Sequence, residues 1–459
     1  MTNKVIINNT STAGRIPTAA EVSFGELVLN YQDKAIYYKT SEGLIDSFSS
    51  DTRLQPSIGA FTWDTATATP AGIQFSTGVQ RVTKTHLGMR RCVLNDSGVV
   101  QYYLDPTNSE RKANGSASVL TGADGQVMVE VPKFYTRREV NGTLTTWLIS
   151  DLPVQGFTVH PAFVKDGVEV NYRYIGAYDA CVFDVGSSTY LSGLNWDNNS
   201  GANGVQVDVT ASTGDKLASV SGIYPMVGLT RGEFRTLAAN RGTFWRQLDF
   251  ALWSAVQMLY LIEYQSFFSQ NILGAGNTNG SYLASSGVQA DSPHTIAGAA
   301  NWLGNGSTNT TSGAGVNTKP GTSYMVYRGI ENFYGNCWTW ADGINVNVTA
   351  NGNVHVTNNR ADFADNTSTN MTLISTTAPT TSNYVSAIAS IDNYFIASSV
   401  SGGSSSTYLT DYWHGSTSSN RVVFVGGYAD AAALAGAFYV AALVASSYRS
   451  RNSGGRLAG

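Results

Sequence analysis

The chain of 459 residues carries 28 Lys and Arg against 32 Asp and Glu, a formal net charge of −4. Charged residues make up 13%, about half the usual share of roughly 25%, and no basic stripe is present, which argues against nucleic acid as a partner. The balance is Gly (47), Tyr (24) and abundant Ser, Thr and Asn, a composition of β-rich, loop-rich proteins and adaptable binding surfaces rather than of helical enzymes.

The chain is long enough for roughly three domains. Its polar start, MTNKVIINNT, lacks the apolar core of a secretory signal. Ser23 to Tyr31 and Ala35 to Lys39 are two β-rich runs around the polar break Gln32-Asp33-Lys34, which predicts a hairpin within a first module over 1–50. Residues 51–105 are rich in Thr and Gly and read as a spacer or small β module. Asp124-Gly125 then precedes Gln126 to Val131, a predicted strand.

Thr230 and Glu233 have the spacing of a capping box, Phe234 and Leu237 follow, and Gly242 supplies a stop, predicting a helix over 231–241. Thr243 reads as the cap of a second helix over 244–265. Trp245, Leu248, Leu252, Val256, Leu259 and Ile262 line one side of it, and Phe250, Trp253, Met258 and Leu261 the other. A helix apolar nearly all round is buried, so these aromatics are core. Beyond it, 274–325 and 345–420 turn to Gly, Ser, Asn and Thr and read as long loops of the kind that carry function.

Arg328 to Gly343 reads RGIENFYGNCWTWADG. In a strand, Trp338 and Trp340 would face one side, after Gly and Asn turn residues. The apolar run Ala431 to Ala445 is too short to span a bilayer, and Gly436 interrupts it. It is either a buried core helix or strand, with helix the first reading, or a displayed apolar surface, and displayed patches mark binding sites.

Signals for catalysis and metal binding are weak. Cys92, Cys181 and Cys337 are odd in number and far apart, giving neither a disulfide framework nor a metal signature, as suits folding in a reducing cytoplasm. His86, His160, His294, His355 and His414 show no ligand spacing, and neither GxSxG nor a phosphate-cradling loop is present. Trp196-Asp197-Asn198 is a faint echo of a calcium-site tripeptide without the converging carboxylates such sites need. The expectation is no enzyme, no cofactor and no metal.

Four segments carry a family resemblance. GELVLNYQDKAIYYK (Gly25 to Lys39) looks like the amino-terminal module by which phage tail fibres attach to the virion, and Tyr102 to Tyr135 resembles another recurring tail segment. RGIENFYGNCWTWADG is similar to the signature of the formylglycine-generating-enzyme branch of C-type lectin folds, matched at Gly329, Glu331, Asn332, Gly335, Asn336, Trp338 and Trp340. That oxidation needs a late cysteine pair, and no cysteine follows Cys337. Gly426 to Gly459, with its Gly-Gly, Gly-Ala-Phe-Tyr and final Gly-Gly-Arg-Leu, resembles the variable repeat of retroelement-diversified proteins, the group that includes phage major tropism determinants.

The resemblance implies an α+β protein: the β module over 1–50, the spacer over 51–105, and a C-type-lectin-like receptor-binding head over 106–459 with two core helices and long loops. It implies a homotrimeric tail-fibre protein of the virion, folded in the host cytoplasm. Its partners would be a host-surface protein or glycan and a virion tail or baseplate protein, with no membrane insertion. The alternative is a fibre-borne glycan hydrolase, whose chemistry needs two carboxylates about 5 to 10 Å apart. The implied receptor contacts are Tyr428, Asp430, Ala431, Leu434, Ala441, Leu443, Val444, Tyr448 and Ser450, with Tyr412 and Trp413 as neighbours. Arg456 and Trp338 belong to the implied scaffold. None of the nine is Lys, Glu, Gln, Met or Trp, the residues that adenine changes in an asparagine codon exclude.

Overall fold

The computed structural model describes residues 7–12, 15–32, 35–40, 43, 45–49, 56–67, 73–74, 79–191, 193, 196–197, 201–202, 207–278, 294–308, 324–347, 352–407, 409–418 and 420–459. It divides into two compact units, Met1–Ser57 with Leu152–Val154, and Ile58–Asp151 with Gln155–Gly459.

In the first unit, Ile7–Thr10, Leu27–Asn30, Ala35–Lys39 and Ile45–Ser49 form one sheet in chain order. The expected hairpin is its centre, with Leu29 opposite Ile36 and Asn30 opposite Ala35. Alternation buries Val28, Ala35 and Tyr37 with Val22. The buried Asn30 amide donates to the carbonyls of Thr12 (3.0 Å) and Arg15 (3.2 Å), holding the chain that leads into the sheet.

The second unit overturns the α+β expectation. The protein is mostly β, with 35% strand against 13% helix, and is not a two-helix lectin-like domain. Its helices among the described residues are α1 (Lys84–Gly88), α2 (Arg231–Asn240), α3 (Phe250–Tyr264) and α4 (Ser269–Leu273). Much of the extra strand lies in 345–420, expected to be loop: Asn353–Val356, Thr372–Ser375, Asn383–Tyr384, Ala387–Ile388, Ala397–Ser399 and Tyr412–His414. These segments are only two to four residues long, too short to read as strands from the sequence, and each is completed by pairing with a neighbouring strand.

Three sheets surround α3. The first runs Arg246–Gln247, Leu457–Ala458, Tyr172–Gly176, Gln126–Pro132, Arg90–Leu94, Val100–Asp105, Asn108–Lys112. The second runs Thr158–Val159, Tyr135–Asn141, Leu144–Ser150, Ile58–Asp64, Ile73–Gln74. The third runs Thr372–Ser375, Asn353–Val356, Trp338–Asn347, Arg421–Val425, Val440–Val444, Tyr412–His414, Asn383–Tyr384, with Ser453–Gly454 parallel to its longest strand. Every α3 residue from Phe250 to Ile262 is buried. Its core companions include Val129 and Ile175 of the first sheet, Trp147 and Ile149 of the second, and Val425 and Val440 of the third. Each large apolar side chain so buried stabilises the fold by about 1.5–3 kcal/mol, so this helix is the main apolar anchor.

A second core lies on the other faces of the first and third sheets. It joins Cys92, Leu94 and Met128 to Phe234 and Leu237 of α2 and to Trp338, Trp340, Phe424 and Ala441. The expected capping box is present: Thr230 N–H donates to Glu233 Oε2 (2.8 Å), and Glu233 N–H to Thr230 Oγ1 (3.3 Å).

The second helix does not start at Thr243. Arg246–Gln247 instead pairs with Leu457–Ala458, and Leu248 N–H donates to the Arg456 carbonyl (2.9 Å), so these residues are strand-like. The cap is Asp249, whose Oδ1 accepts the Leu252 N–H at 2.8 Å while Oδ2 meets the buried Arg173 guanidinium at 2.5 Å. Thr243→Ala should therefore change stability by less than about 0.5 kcal/mol. Asp249→Ala, which removes a cap and strands a buried cation, should cost about 3–5 kcal/mol. Urea denaturation of the two variants checks the assignment, and equal costs would refute it.

Candidate binding surface

The last 34 residues are not helical. After Arg421–Val425 the chain turns through Gly426-Gly427, makes a 3-10 turn at Ala432–Leu434, and returns as the strand Val440–Val444 in the middle of the third sheet. Gly427 has φ +84, and a Cβ there would meet Ala435 at 2.6 Å. Gly436 lies against the Asp411 carboxylate, which a Cβ would strike at 2.2 Å. Both glycines are thus demanded by close backbone approach.

The frame around these turns is buried. The Arg456 guanidinium donates to Asp179 Oδ1 (2.5 Å) and to the carbonyls of Gly176, Glu331 and Asn332 (each 2.9 Å). Asn336 donates its amide to the other Asp179 oxygen (2.7 Å). Trp338 lies 5.0 Å from Phe424 between ring centroids and donates its N–H to the Tyr439 hydroxyl at 2.8 Å. Trp338 and Trp340 share one face of their strand, both packed on Phe424.

On the solvent side of this frame lies a group of half-buried rings. Tyr428 sits 4.4 Å from Trp338, and Tyr448 sits 6.4 Å from Trp338 and 6.0 Å from Phe424. Leu434 and Leu443 pack on the same core from the surface, as does Tyr412. Tyr412 carries the row outward, 4.6 Å from His414 and 5.2 Å from Tyr384. Asp430 is exposed in the turn after Tyr428. Burial, then the charge of Asp430, raises the Tyr428 hydroxyl above its ordinary value, so the ring stays a neutral donor near neutral pH.

The assigned contacts divide accordingly. Tyr412, Tyr428, Leu434, Leu443 and Tyr448 are all partly exposed and pack on the second core, and Asp430 is exposed beside Tyr428. Ser450 is half-buried and spends its groups on a turn: its N–H donates to Ser453 Oγ (2.8 Å), and its carbonyl accepts from that hydroxyl (2.7 Å). Ala431, Ala441, Val444 and Trp413 are corrections, since all four are buried. Ala441 and Val444 face the second core across from Phe424 and Val422, and Trp413 faces the α3 core on the strand's other side. A bulge between Val422 and Phe424 breaks strict alternation, leaving Leu443 at the surface beside inward Val444. His414, flagged in the sequence as either receptor-facing or packed, lies two residues from Tyr412 on the same strand, and Tyr384, which the sequence did not assign, joins through strand pairing with Tyr412.

The other chemistry-bearing residues are structural. Burial lowers His86 to about 4, His160 to about 3 and His294 to about 3, so each sits neutral in its core. His414 falls to about 4 for the same reason. The three cysteines are free and buried. Among the described residues no group of three His, Cys, Asp or Glu could hold a metal ion, and no helix is long and apolar enough to cross a membrane. Of the Trp196-Asp197-Asn198 tripeptide, Asn198 lies outside the described residues, and Trp196–Asp197 pairs with Gly201–Ala202.

No protein-family model and no curated protein matches the chain. Among solved structures it has a weak similarity to "Major Tropism Determinant U1 Variant", at 11% identity and TM-score 0.26, over 98% of this chain and 85% of that one. So low a score carries no argument about fold or function.

Asp411 links the surface to its frame. Its Oδ2 accepts the Phe438 N–H at 2.7 Å, and it borders a cavity of about 20 Å³ walled by Phe267, Phe395, Leu409, Trp413 and Phe438. Burial pushes its carboxyl up to about 8. An unfolded chain ionises near about 4, so between these values the native state holds a proton the unfolded state has released. Stability should therefore fall as pH rises from about 4 to about 8, by on the order of a few kcal/mol, and level off above. Glu331, raised to about 7 by burial, adds slope of the same sign. Asp411→Asn keeps the acceptor and should flatten, without abolishing, the decline in urea midpoints. An unchanged slope would remove Asp411 from this account.

Proposed function

We propose that the chain is a receptor-binding protein of a phage tail, attached to the virion through its amino-terminal module and presenting the Tyr412, Tyr428, Leu434, Leu443 and Tyr448 surface to a host-cell receptor. The observation that carries the reading is this ring-rich surface. One glycine- and arginine-bounded segment supplies most of it, and the segment's frame is buried while its rings stay half-exposed. Tyrosines give large contact area at low entropic cost and carry a disproportionate share of interface energy. The resemblance of Gly426 to Gly459 to variable repeats supports the same reading.

In this reading, sequence variation is confined to positions whose side chains reach solvent: Tyr428, Asp430, Leu434, Leu443, Tyr448 and, in part, Ser450. The inward Ala431, Ala441 and Val444 are restricted to small or apolar residues, because added volume in a packed core costs about 1–3 kcal/mol. Threefold assembly would multiply weak contacts by effective concentration.

Tyr428→Ala and Tyr448→Ala should each weaken attachment to host cells by about tenfold or more, read by flow cytometry with labelled protein. Because both rings pack on Trp338 or Phe424, each should also cost about 1 kcal/mol of stability, and the fold should survive. Light scattering at micromolar protein should return a trimer mass, and host polysaccharide incubated with the protein should keep its chain length. Attachment unchanged in both variants would sink the receptor surface. Shortened polysaccharide would favour the hydrolase.

A further inference from the structure

The second sheet has a cleft unrelated to the surface above. Strand register sets Arg138 opposite Trp147, Val140 opposite Thr145, and Thr145 opposite Trp63, so these residues share one face. The face is covered by Phe267, edge-on to Trp63 at 5.8 Å, and by Phe395, 5.7 Å from Trp147. Beyond that cover a cleft of about 250 Å³ opens between Trp63, Thr65, Arg138 and Trp147 on the sheet and Ile388 and Ser390 opposite.

Two residues of its wall each carry a buried donor with no acceptor among the described residues, Arg138 Nε and Trp147 Nε1. Trp147 is only 3% exposed, so its N–H has been taken from bulk water without a partner, which costs about 1–3 kcal/mol. The Arg138 guanidinium lies over the Trp147 ring at 6.0 Å and donates from Nη2 to Ser390 Oγ at 2.5 Å. Its ion pair is long, 3.8 Å from Nη1 to an Asp392 carboxylate that is 72% exposed. Among the described residues, Arg138 is the sole ionised residue of the lining, so its charge there is positive. The remaining wall alternates apolar surface (Val140, Ile388, the indoles) with hydroxyls (Thr65, Thr145, Ser390).

We propose that this cleft binds an acidic saccharide unit of the uronic-acid class. The carboxylate would accept from Arg138 Nε, the charge-assisted bond that this donor lacks. The Trp147 N–H and the threonine hydroxyls would engage sugar oxygens, and Val140 and Ile388 would contact the ring's C–H faces. The cleft is far larger than the ~30 Å³ share of a water molecule, so a carboxylate alone leaves it mostly unfilled.

Saturation-transfer NMR on the full chain with D-glucuronate, D-glucose and acetate tests this. Glucuronate should bind saturably, with glucose and acetate each at least about tenfold weaker. Arg138→Gln should weaken glucuronate by about tenfold or more, and Trp147→Phe, which keeps a ring and removes the N–H, by severalfold. Both residues pack within the sheet, so Val140→Trp supplies a separate control: Val140 is 58% exposed at the rim, and the indole should block entry without disturbing the fold. Absence of saturable glucuronate binding overturns the proposal. So does equal binding of glucose or acetate, or glucuronate binding that survives both Val140→Trp and Arg138→Gln. None of these outcomes bears on the tyrosine surface.

Discussion

The buried guanidinium of Arg456 is the contact on which the architecture of the larger unit rests. It sits between three backbone carbonyls and the Asp179 carboxylate, joining the carboxy-terminal strand to Tyr172–Gly176 and to the turn at Asn332. A planar fork of donors suits such a site, where a lysine would satisfy fewer acceptors. A buried pair of this kind adds little net stability against an apolar replacement, yet losing one partner is severe because the other charge is left buried. Its consequence is positional. It fixes the segment leading into Leu457–Ala458, which pairs with Arg246–Gln247 and so determines where α3 can begin.

From that constraint follows the third sheet, apolar on both faces. One face closes on α3, and the other on α2 and the Trp338–Phe424 stack. A sheet buried on both faces near its centre has solvent only at its fringe, and there the tyrosines lie. Tyrosine suits the position, since its ring body can rest on Trp338 or Phe424 while its hydroxyl reaches water. A segment so placed can change what it displays only where its backbone is held by something else. Gly436 against Asp411, and Arg456 on its carbonyls, do that holding.

Both proposed sites follow from one economy of construction. The tyrosine surface uses the rim of a packed core, and the uronate cleft uses the end of a sheet where its cover stops. They differ in their unmet needs: the tyrosine surface offers area, whereas the cleft is lined by two residues whose buried donors find no acceptor among the described residues.

Local signals in the sequence were sufficient wherever the deciding interactions are themselves local. The Thr230–Glu233 box, the Leu27–Asn30 and Ala35–Lys39 hairpin, the strand after Asp124-Gly125 and the shared face of Trp338 and Trp340 depend on residues a few positions apart. The burial of α3 was legible from its composition. Its start was not, because Arg246–Gln247 is claimed by a strand more than two hundred residues away. Nor was the mostly β character, since the strands in 345–420 are two to four residues long and are completed only by their partners. Ala431 to Ala445 has the composition of a buried helix or strand, and only the tertiary structure made it a turn and a central strand. That placement turned Ala431, Ala441 and Val444 inward, and a bulge left Leu443 outside. Propensity acts over a few residues, while strand pairing and the choice of face are settled by contacts distant in sequence.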